Sequence, residues 1–540
     1  MIAHELCDMN RLPLGLLNFS NIRKSNMIYV DKTNLIYKIA IQRSPIFFSR
    51  PRRFGKSLLI NTLSSLFTKA LDDFHGLDIE KMWNDKTYQV VHLDFSRFAD
   101  KKNERLKSEL GDKIIREFHA VGTVAQTNAL GVRDPDSILD EILQKIPNNS
   151  TVLLIDEYDA PITHHINEPN ELKEIMSILN DFYATVKQYT DKFRLIFITG
   201  VTRVSHVSIF SAFNNLQDLS LIDEFNSILG FTQHDLERYF DDYVENASKI
   251  LNMKKEDVYK RIEEYYDGFK FTPEAKETVY NPWSILNFFA MPQEGFKNYW
   301  FRSGGISSLI MQYLKIDNSF DFFNYKNREI VVDHNDLSDI FEIDNIPRYL
   351  LLFQAGYFTI SNDDYNIKLI VPNREIEESL LRLYLLSNNL TPKHDLIIKM
   401  NKLCKAIDAK DLFSIISIFD SILNECVSSL SNIFDDERSI RDIIYAALIK
   451  ISKLQKMKEH ETVKGKSDLE LITNKTCMII EFKRTSATRG PEASLKKAIE
   501  QIKKNRYGLL FSDSHNIYRV AMVISHKEKK ILKDFCKEII

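Results

Sequence analysis

A short apolar run that leads straight into a glycine-lysine-serine turn constrains this chain most. Residues 44–48 (SPIFF) have the length and composition of a buried strand, and residues 49–57 (SRPRRFGKS) follow without a spacer. Residues 58–67 then repeat apolar side chains at helical spacing. A strand, a tight loop and a helix in this order are typical of a phosphate-binding loop, whose backbone N–H groups point at a bound phosphate. The sequence therefore predicts a nucleotide site around Gly55.

A second apolar run ends in two carboxylates where such a site needs them. Residues 151–155 (TVLLI) predict a buried strand, and Asp156 and Glu157 follow directly. In phosphoryl transfer one carboxylate of this kind holds Mg²⁺ and its neighbour polarises the attacking water. A further predicted strand, 193–199, ends at Thr199, in the position of a γ-phosphate sensor. Each motif is weak alone, and the prediction rests on their order and spacing.

The loop residues have separable roles in binding ATP and Mg²⁺. Lys56 would supply a point charge, the Ser57 hydroxyl would hold Mg²⁺, and Gly55 would let the backbone approach the phosphates. The arginines of the loop would add positive charge beside them. Arg203 is the candidate arginine finger within the chain, although an assembly of several copies would be able to supply another. The predicted nucleotide-binding residues are Arg52, Arg53, Gly55, Lys56, Ser57, Asp156, Thr199 and Arg203.

The first glycine of a usual phosphate loop would fall at position 50, where this chain has Arg50. The motifs together resemble the bacterial and archaeal AAA-ATPase-like family of extended P-loop ATPases, in which the missing glycine belongs to the family's own pattern. The resemblance covers residues 11–232 and implies ATP as ligand. The stretches that carry it are 11–15 (RLPLG), 29–33 (YVDKT), 50–57 (RPRRFGKS), 155–159 (IDEYD) and 199–203 (TGVTR). The match also reaches 213–216 (FNNL) and, beyond residue 232, 266–268 (YDG) and 281–284 (NPWS).

Acidic and basic side chains recur at one end of a predicted hairpin near the C-terminus. Residues 467–473 and 476–483 are predicted to form two strands joined by a short turn. Glu481 and Lys483 are two residues apart and therefore share a strand face. Twelve residues separate Asp468 from Glu481, enough to run up one strand and return. Asp468 and Glu481 would bind Mg²⁺ or Mn²⁺ through oxygen, and Lys483 would position the attacking water.

Residues 437–525 resemble the PD-(D/E)XK nuclease superfamily, in the branch often fused behind this ATPase domain. The resemblance implies metal-dependent cleavage of nucleic acid. Gln501 and Tyr507 match a helix-borne Gln and Tyr of that branch, and the resemblance implies that Gln501 helps to hold the site or the phosphate backbone. An acidic residue on the first helix usually completes the family site. Asp442 is the first candidate for this role and Glu437 the second.

The order of predicted elements defines the fold class as α/β. Strands alternate with helices up to about residue 232, which predicts a parallel sheet with helices on both faces. The middle region is predicted mostly helical, with a small β-element near 356–371. Further predicted elements are strands 88–94, 506–511 and 517–524 and helices 103–119, 170–189, 437–454 and 492–505. The predicted domains are 1–235 (P-loop ATPase), 236–385 (helical, lid-like), 386–436 (helical connector) and 437–540 (nuclease-like).

Composition narrows the classes of function. The net charge of −3 gives no overall basic character, so any nucleic-acid surface must be local. The five cysteines show no CxxC pairing, which favours a reducing compartment over a zinc site or a disulfide framework. The N-terminus does not resemble a signal peptide, and the apolar runs are too short to span a bilayer. The sequence predicts a cytoplasmic protein without a membrane partner.

Three functional interpretations remain. The first is an ATP-binding and ATP-hydrolysing protein whose nuclease domain cleaves nucleic acid, with DNA favoured, under the control of ATP. The second is a nucleotide-switched binding module with an inactive nuclease fold, which the complete set Asp468, Glu481 and Lys483 disfavours. The third is an ATPase whose C-terminal module mediates oligomerisation. The state of oligomerisation stays open, and so does the role of the basic side chains Lys496, Lys497, Lys503, Lys504 and Arg506.

Overall fold

The computed structural model describes most of the chain. The described residues are 11–120, 134–203, 216–301, 310, 330–338, 346–362, 366–387, 399–400, 402–427, 437–448, 454–462, 465–486, 488–505, 507 and 515–539. Those up to Leu380 form one compact unit and those from Leu381 onward form another. Each unit has a sheet of its own, and each is described separately. No helix among the described residues is both long and apolar enough to cross a membrane.

The first unit is built on a parallel five-stranded sheet in the order β2-β3-β4-β1-β5. Its strands are Ile46–Ser49 (β1), Gln89–Asp94 (β2), Thr151–Asp156 (β3), Phe193–Gly200 (β4) and Gln217–Asp218 (β5). Every residue of β1, β3 and β4 is buried, as expected when helices cover both faces of a parallel sheet. The predicted α/β class is confirmed, and four of the five strands begin and end within two residues of their predicted limits.

Helices alternate with these strands. They are Phe19–Lys24 (α1), Thr33–Ala40 (α2), Lys56–Lys69 (α3), Asn103–Ala120 (α4), Pro135–Leu143 (α5), Ala160–His164 (α6) and Pro169–Gln188 (α7). Short 3-10 turns occupy Asp78–Lys81, Phe95–Phe98, Thr190–Lys192, Asp223–Phe225 and Pro292–Glu294. All strand pairs of this sheet are parallel, so the carboxyl ends of β1, β3 and β4 meet at one edge. That edge is where ligands bind in open α/β sheets.

The middle region is mostly helical, as predicted. Its helices are Gln233–Tyr239 (α8), Asp241–Leu251 (α9), Lys255–Tyr266 (α10), Pro282–Ala290 (α11), His334–Ser338 (α12), Arg348–Gln354 (α13) and Arg374–Ser387 (α14). A small antiparallel sheet of Ile330–Val332 (β6), Thr359–Asn362 (β7) and Ile367–Ile370 (β8) lies between them in the sequence. Two of its strands fall in the predicted β-element near 356–371. The residues of this region up to Leu380 belong to the same compact unit as the parallel sheet.

The second unit contains a mixed sheet in the order β13-β12-β11-β10-β9. Its elements are the helices Leu403–Asp408 (α15), Leu412–Val427 (α16), Glu437–Leu448 (α17) and Pro491–Asn505 (α18), and the strands Gln455–Thr462 (β9), Gly465–Ile472 (β10), Thr476–Arg484 (β11), Asn516–Ser525 (β12) and Lys530–Ile539 (β13). Strands β10 and β11 form the predicted hairpin, and α18 connects the parallel pair β11 and β12. The predicted strand 506–511 lies, apart from Tyr507, outside the described residues.

Two strands of this sheet were not predicted from the sequence, namely β9 and β13. Residues 455–462 (QKMKEHET) and 530–539 (KILKDFCKEI) are rich in charged side chains and lack the apolar run that indicates a buried strand. Both strands lie at the edges of the sheet. Edge strands commonly carry charges because these discourage pairing with other chains. Apolar periodicity therefore does not predict these two strands.

Candidate functional site

The loop between β1 and α3 has the backbone form of an anion cradle. Gly55 caps α3 with φ 103°, and Arg53 has φ 70°. Both angles lie in the left-handed region, which glycine adopts freely and arginine rarely. Residues that turn the backbone in this way aim successive N–H groups into one concavity, where a phosphate binds at the N-terminus of the following helix. The local geometry thus agrees with the prediction of a phosphate loop.

The Lys56 ammonium lies inside this loop. Its Nζ donates hydrogen bonds to the carbonyl oxygens of Arg50 (2.8 Å) and Pro51 (3.1 Å). Burial lowers the pKa of Lys56, while the charges of Glu157 and Asp156 act in the opposite direction. The positive charge therefore sits at the place where the loop would receive a phosphate.

Asp156 connects the loop to the ends of two strands. Ser57 Oγ donates a hydrogen bond of 2.6 Å to Asp156 Oδ2, and Thr199 Oγ1 donates one of 2.7 Å to Asp156 Oδ1. The carboxylate is buried at the edge of the sheet. A hydroxyl and a carboxylate at contact distance are the donor set that holds Mg²⁺ in P-loop enzymes. The side chains therefore fit the predicted cation.

Glu157 adopts a strained backbone beside this carboxylate. Its φ is 51°, which a non-glycine residue holds only when its surroundings fix it. The next residue provides this restraint, because Tyr158 N donates to Thr199 O at 3.0 Å and the Tyr158 ring fills the space where Gly200 would carry a Cβ. Burial raises the pKa of Glu157, and the Lys56 charge opposes the shift. Glu157 N also donates to Asp156 Oδ1 at 3.0 Å, and the role of Glu157 toward the attacking water stays a prediction.

Arg50 takes a structural position. Its guanidinium lies between the rings of Phe48 (4.3 Å) and Phe271 (4.2 Å) and donates hydrogen bonds to the carbonyls of Ser49, Ser220 and Phe225. Burial lowers its pKa to about 9, and Asp218 acts in the opposite direction. The expectation that Arg50 adds charge beside the phosphates is therefore replaced by another role. This side chain ties the loop to β5 and to the middle region.

The other predicted arginines differ in their surroundings. Arg53 places its guanidinium 4.6 Å from the centre of the Trp283 ring, and the Arg52 carbonyl accepts a hydrogen bond from Trp300. Arg203 pairs with Asp218 at 2.6 Å and donates to Leu337 O at 2.7 Å. Arg52 and Arg53 are residues of the loop itself, whereas the Arg203 guanidinium contacts β5 and α12. The role of each toward a nucleotide stays a prediction.

Asp31 and Lys32 of the stretch 29–33, and Asp159 of the stretch 155–159, have structural partners. Asp31 accepts hydrogen bonds from Thr33 N and Thr33 Oγ1 and from Asp78 N. Lys32 pairs with Asp235, at the start of α8. Asp159 accepts from Val201 N, Thr202 N and Thr202 Oγ1, and so locks the residues after β3 to those after β4. Asp31 and Lys32 therefore tie the start of α2 to the 3-10 turn at Asp78–Lys81 and to α8.

In the second unit the hairpin brings the predicted trio together. Leu469 pairs with Ile480, which sets Asp468 beside Glu481. Lys483 Nζ donates to Glu481 Oε1 at 2.6 Å, and Asp468 Oδ2 accepts from Phe482 N at 2.8 Å. The three candidate side chains thus meet at one end of the hairpin, where the strand spacing placed them.

The trio has the electrostatics of a cation site. Burial, and next the charge of Asp468, raises the pKa of Glu481 to about 8. Burial also raises the pKa of Asp468. Burial alone would lower the pKa of Lys483, but the charges of Glu481 and Asp468 raise it. Glu481 Oε2 is buried and accepts no hydrogen bond from any described residue. A buried carboxylate oxygen without a donor fits a bound divalent cation.

A cluster of three or more His, Cys, Asp or Glu side chains that could hold a metal does not occur within the described ranges. The predicted site offers two carboxylates, Asp468 and Glu481. Hard cations such as Mg²⁺ usually keep several waters and combine one or two carboxylates with phosphate oxygens of the substrate. A two-carboxylate set is therefore sufficient for the predicted ion.

Helix α17 brings Glu437 to the trio. Glu437 Oε1 accepts from Arg484 N at 2.7 Å, and its Oε2 lies 3.8 Å from Lys483 Nζ. Asp442, the first candidate from the sequence, is buried and accepts from Arg441 Nε at 2.9 Å. Arg441 in turn reaches Asp468 Oδ1 at 3.8 Å. The geometry favours Glu437 as the upstream acid and adds Arg441, which the sequence reasoning missed.

Gln501 contacts Tyr507, the other residue of the motif that resembles the nuclease branch. Gln501 Nε2 donates to the Tyr507 hydroxyl at 3.3 Å, and Asn505 Nδ2 donates to it at 2.7 Å. Burial raises the pKa of Tyr507, and the charges of Glu481 and Asp468 raise it further. Tyr507 thus links Gln501 and Asn505 of α18 through its hydroxyl.

Comparison with known families gives one match for each of the two regions that carry the candidate sites. Residues 13–210 match the AAA-ATPase-like family, described as a predicted AAA-ATPase, and residues 435–534 match a family of the PD-(D/E)XK nuclease superfamily. The chain therefore carries an AAA-ATPase-like domain followed by a PD-(D/E)XK nuclease-superfamily domain, which confirms both resemblances drawn from the motifs.

The chain is also similar to a protein whose description assigns it no activity. The chain is 29% identical over 386 residues to a protein of Azotobacter chroococcum mcd 1, described as an uncharacterized protein in the vnfD 5' region. The match covers 70% of this chain and 70% of that protein. Its description names no activity, so the functional argument rests on the two families and on the geometry of the sites.

Proposed function

We propose that this protein binds and hydrolyses ATP at the loop 50–57 and cleaves nucleic acid with a divalent metal at Asp468 and Glu481. The two domain families support an ATPase joined to a nuclease-type module. The observation that carries the nuclease half is the buried contact of Lys483 with Glu481 beside Asp468. Burying three ionisable groups is costly, and a module that only grips a partner has no need of them.

At the loop, each side chain has a distinct task. Lys56 would stabilise charge on the β- and γ-phosphates, and Ser57 with Asp156 would hold Mg²⁺, which neutralises the charge of the transferring group. Glu157 would orient the attacking water, and Thr199 would contact the γ-phosphate through its hydroxyl. The hydrogen bonds of Asp156 to both hydroxyls support this assignment. The set would thus be organised before the nucleotide arrives.

At the hairpin, Asp468 and Glu481 would bind Mg²⁺ or Mn²⁺, which supplies charge neutralisation at the scissile phosphate. Lys483 would position the attacking water. The charges of the two carboxylates raise its pKa against the effect of burial. Glu437 lies near Lys483 and would steady the ammonium. Gln501 would act through Tyr507 on the same site.

The exposed lysines of α18 supply a surface for the phosphate backbone of the substrate. Lys497 and Lys504 lie four residues before and three residues after Gln501, so they share its side of the helix. Lys496 and Lys503 lie on a different side. Gln501 contacts Tyr507 beside the carboxylates, so we infer that Lys497 and Lys504 would follow the nucleic acid as it leaves the site.

The coupling of the two activities is part of the proposal: ATP bound at the loop would gate cleavage at the hairpin. The test is cleavage of labelled single- and double-stranded DNA and RNA with Mg²⁺ or Mn²⁺, with and without ATP. The wild type would be compared with Lys483→Ala and Lys56→Ala. We expect metal-dependent cleavage that Lys483→Ala abolishes and that no longer responds to ATP in Lys56→Ala.

Other outcomes of this test assign other functions. Cleavage that ignores ATP in the wild type would separate the two activities and reject the gating. Absence of cleavage from all four substrates, with ATP binding retained, would favour the nucleotide-switched binding module. Retained ATP turnover without nucleic-acid binding would favour an ATPase with an oligomerisation module.

A further inference from the structure

The middle region packs directly on the phosphate loop. Trp300 Nε1 donates a hydrogen bond of 3.1 Å to the Arg52 carbonyl, and the Arg53 guanidinium lies over the Trp283 ring. A Cβ at Gly356 would lie 2.7 Å from the Pro51 ring, so these two residues are in close contact. We refer to Trp283, Trp300 and Gly356 as the loop clamp. Each member contacts a different residue of the loop.

The hydrogen bond from Trp300 bears on how the loop would hold phosphate. In a trans peptide the C=O and N–H point in opposite directions. When the indole holds the Arg52 carbonyl on one side, the N–H of Arg53 must point to the other side. The left-handed φ of Arg53 depends on this orientation of the peptide. Trp300 therefore contributes to the direction of one N–H group of the cradle.

Trp300 is itself firmly fixed. Its indole is fully buried and meets the Tyr357 ring edge-on at 5.0 Å. Its backbone N–H donates to Glu375 Oε1 at 2.9 Å, and the preceding N–H of Tyr299 donates to the same oxygen at 2.7 Å. A side chain held at both ends transmits a displacement of the loop instead of absorbing it.

A nucleoside triphosphate would alter the contacts that reach the clamp. The Lys56 ammonium would turn from the carbonyls of Arg50 and Pro51 toward the phosphates, and the Arg53 guanidinium would be attracted to the same charges. The first change acts on the residue that touches Gly356. The second acts on the partner of Trp283. Both changes at the loop would therefore alter contacts with the middle region.

We propose that Trp283 and Trp300 are positioning residues of the phosphate loop, through which the described part of the middle region senses a bound nucleoside triphosphate. This rests on the proposed nucleotide binding. It goes beyond it by assigning to the middle region a part in setting the affinity for ATP and in reading its presence.

The tryptophans themselves provide the test. The chain has three, and the third, Trp83, packs against Phe67 on α3 and has no contact with the loop among the interactions described. ATP affinity would be measured by calorimetry on the full-length wild type, Trp300→Phe, Trp283→Phe and the matched control Trp83→Phe. We expect Trp300→Phe to weaken ATP binding roughly 3- to 10-fold, the value of one hydrogen bond, and Trp83→Phe to change it less than about twofold.

A second measurement leaves Trp300 untouched. In Trp83→Phe/Trp283→Phe, Trp300 is the remaining tryptophan, and its fluorescence, excited at the red edge of the absorption band, should shift on addition of ATP. The single variant Trp83→Phe should retain the ATP response of the wild type.

The outcomes separate this inference from the proposed function. Suppose that the wild type and Trp300→Phe bind ATP equally well, and that the fluorescence of Trp83→Phe/Trp283→Phe does not change with ATP. This result overturns the inference and leaves nucleotide binding intact. Wild type that binds no ATP overturns both. If Trp300→Phe does not fold, the fluorescence of the variant that retains Trp300 decides the question.

Discussion

Ser57 and Asp156 are ninety-nine residues apart in the sequence, yet Ser57 Oγ donates a 2.6 Å hydrogen bond to Asp156 Oδ2. Thr199 occupies the other oxygen of the same carboxylate. The parallel order of β1, β3 and β4 explains the meeting, because it places the ends of these strands at one edge. The two side chains expected to share a cation are thus already in contact.

Substitution of Ser57 by Ala should reduce ATP hydrolysis roughly 10- to 100-fold, because it removes one oxygen ligand and leaves Asp156 in place. The loss should be partly restored by raised Mg²⁺, since the defect lies in holding the ion. Phosphate release measured against Mg²⁺ concentration checks this. Ser64→Ala, on the same helix α3, is the matched control and should leave the rate unchanged. Equal rates for the two variants would exclude Ser57 from the cation site.

Glu437→Gln should affect cleavage, whereas Asp442→Asn should affect stability. The first removes a charge 3.8 Å from Lys483 while the amide oxygen still accepts from Arg484 N, so metal-dependent cleavage should fall about tenfold with stability unchanged. The second weakens the buried ion pair with Arg441 and should lower the free energy of unfolding by roughly 3 kcal/mol. Cleavage assays and urea unfolding distinguish them. A stable Asp442→Asn protein without activity, beside an active Glu437→Gln, would reverse the assignment.

Charge reversal on α18 should depend on the side of the helix. Lys497→Glu/Lys504→Glu should weaken binding of nucleic acid and lower the slope of log affinity against log salt by about 2, one for each phosphate that the helix no longer neutralises. Lys496→Glu/Lys503→Glu changes the net charge by the same amount and is the control. Anisotropy titrations at several salt concentrations, in the Lys483→Ala background with chelator, measure both. Identical slopes for the two pairs would indicate a general charge effect.

Glu375 should make the first unit less stable as pH rises. Burial raises the pKa of Glu375 from its ordinary value of 4.5 to about 8, against the hydrogen bonds from Ser284, Trp300 and Tyr299. The folded state therefore holds a proton that the unfolded state releases, and stability is lost as pH increases from 4.5 toward 8. The loss amounts to at most about 1.4 kcal/mol for each pH unit.

Glu375→Gln should flatten this dependence, because an amide does not ionise and its oxygen still accepts from the two backbone N–H groups. Urea unfolding at about pH 5 and about pH 8 gives the comparison. The wild type should lose more stability than the variant over this interval. Parallel curves for the two proteins would show that Glu375 does not titrate there.

The sequence predicted the parallel sheet and the meeting of Asp468, Glu481 and Lys483, because both follow from the period of buried strands. It was less informative where the outcome depends on contacts between distant segments. Glu437 and Asp442 are five residues apart on α17, so they point to different sides of the helix, and only packing decides which side faces the hairpin. The position of Arg50 depends on Phe271, more than two hundred residues away, which no local pattern reveals.

The loop clamp has a practical consequence for the production of a shorter protein. A fragment that ends near residue 235 would contain every motif of the phosphate loop but would lack Trp283, Trp300 and Gly356. Pro51 and Phe54 would then face water, and Arg50 would lose one of its two flanking rings. Such a fragment should aggregate during expression, because these apolar side chains would be exposed. A fragment extended to residue 380 would keep them covered.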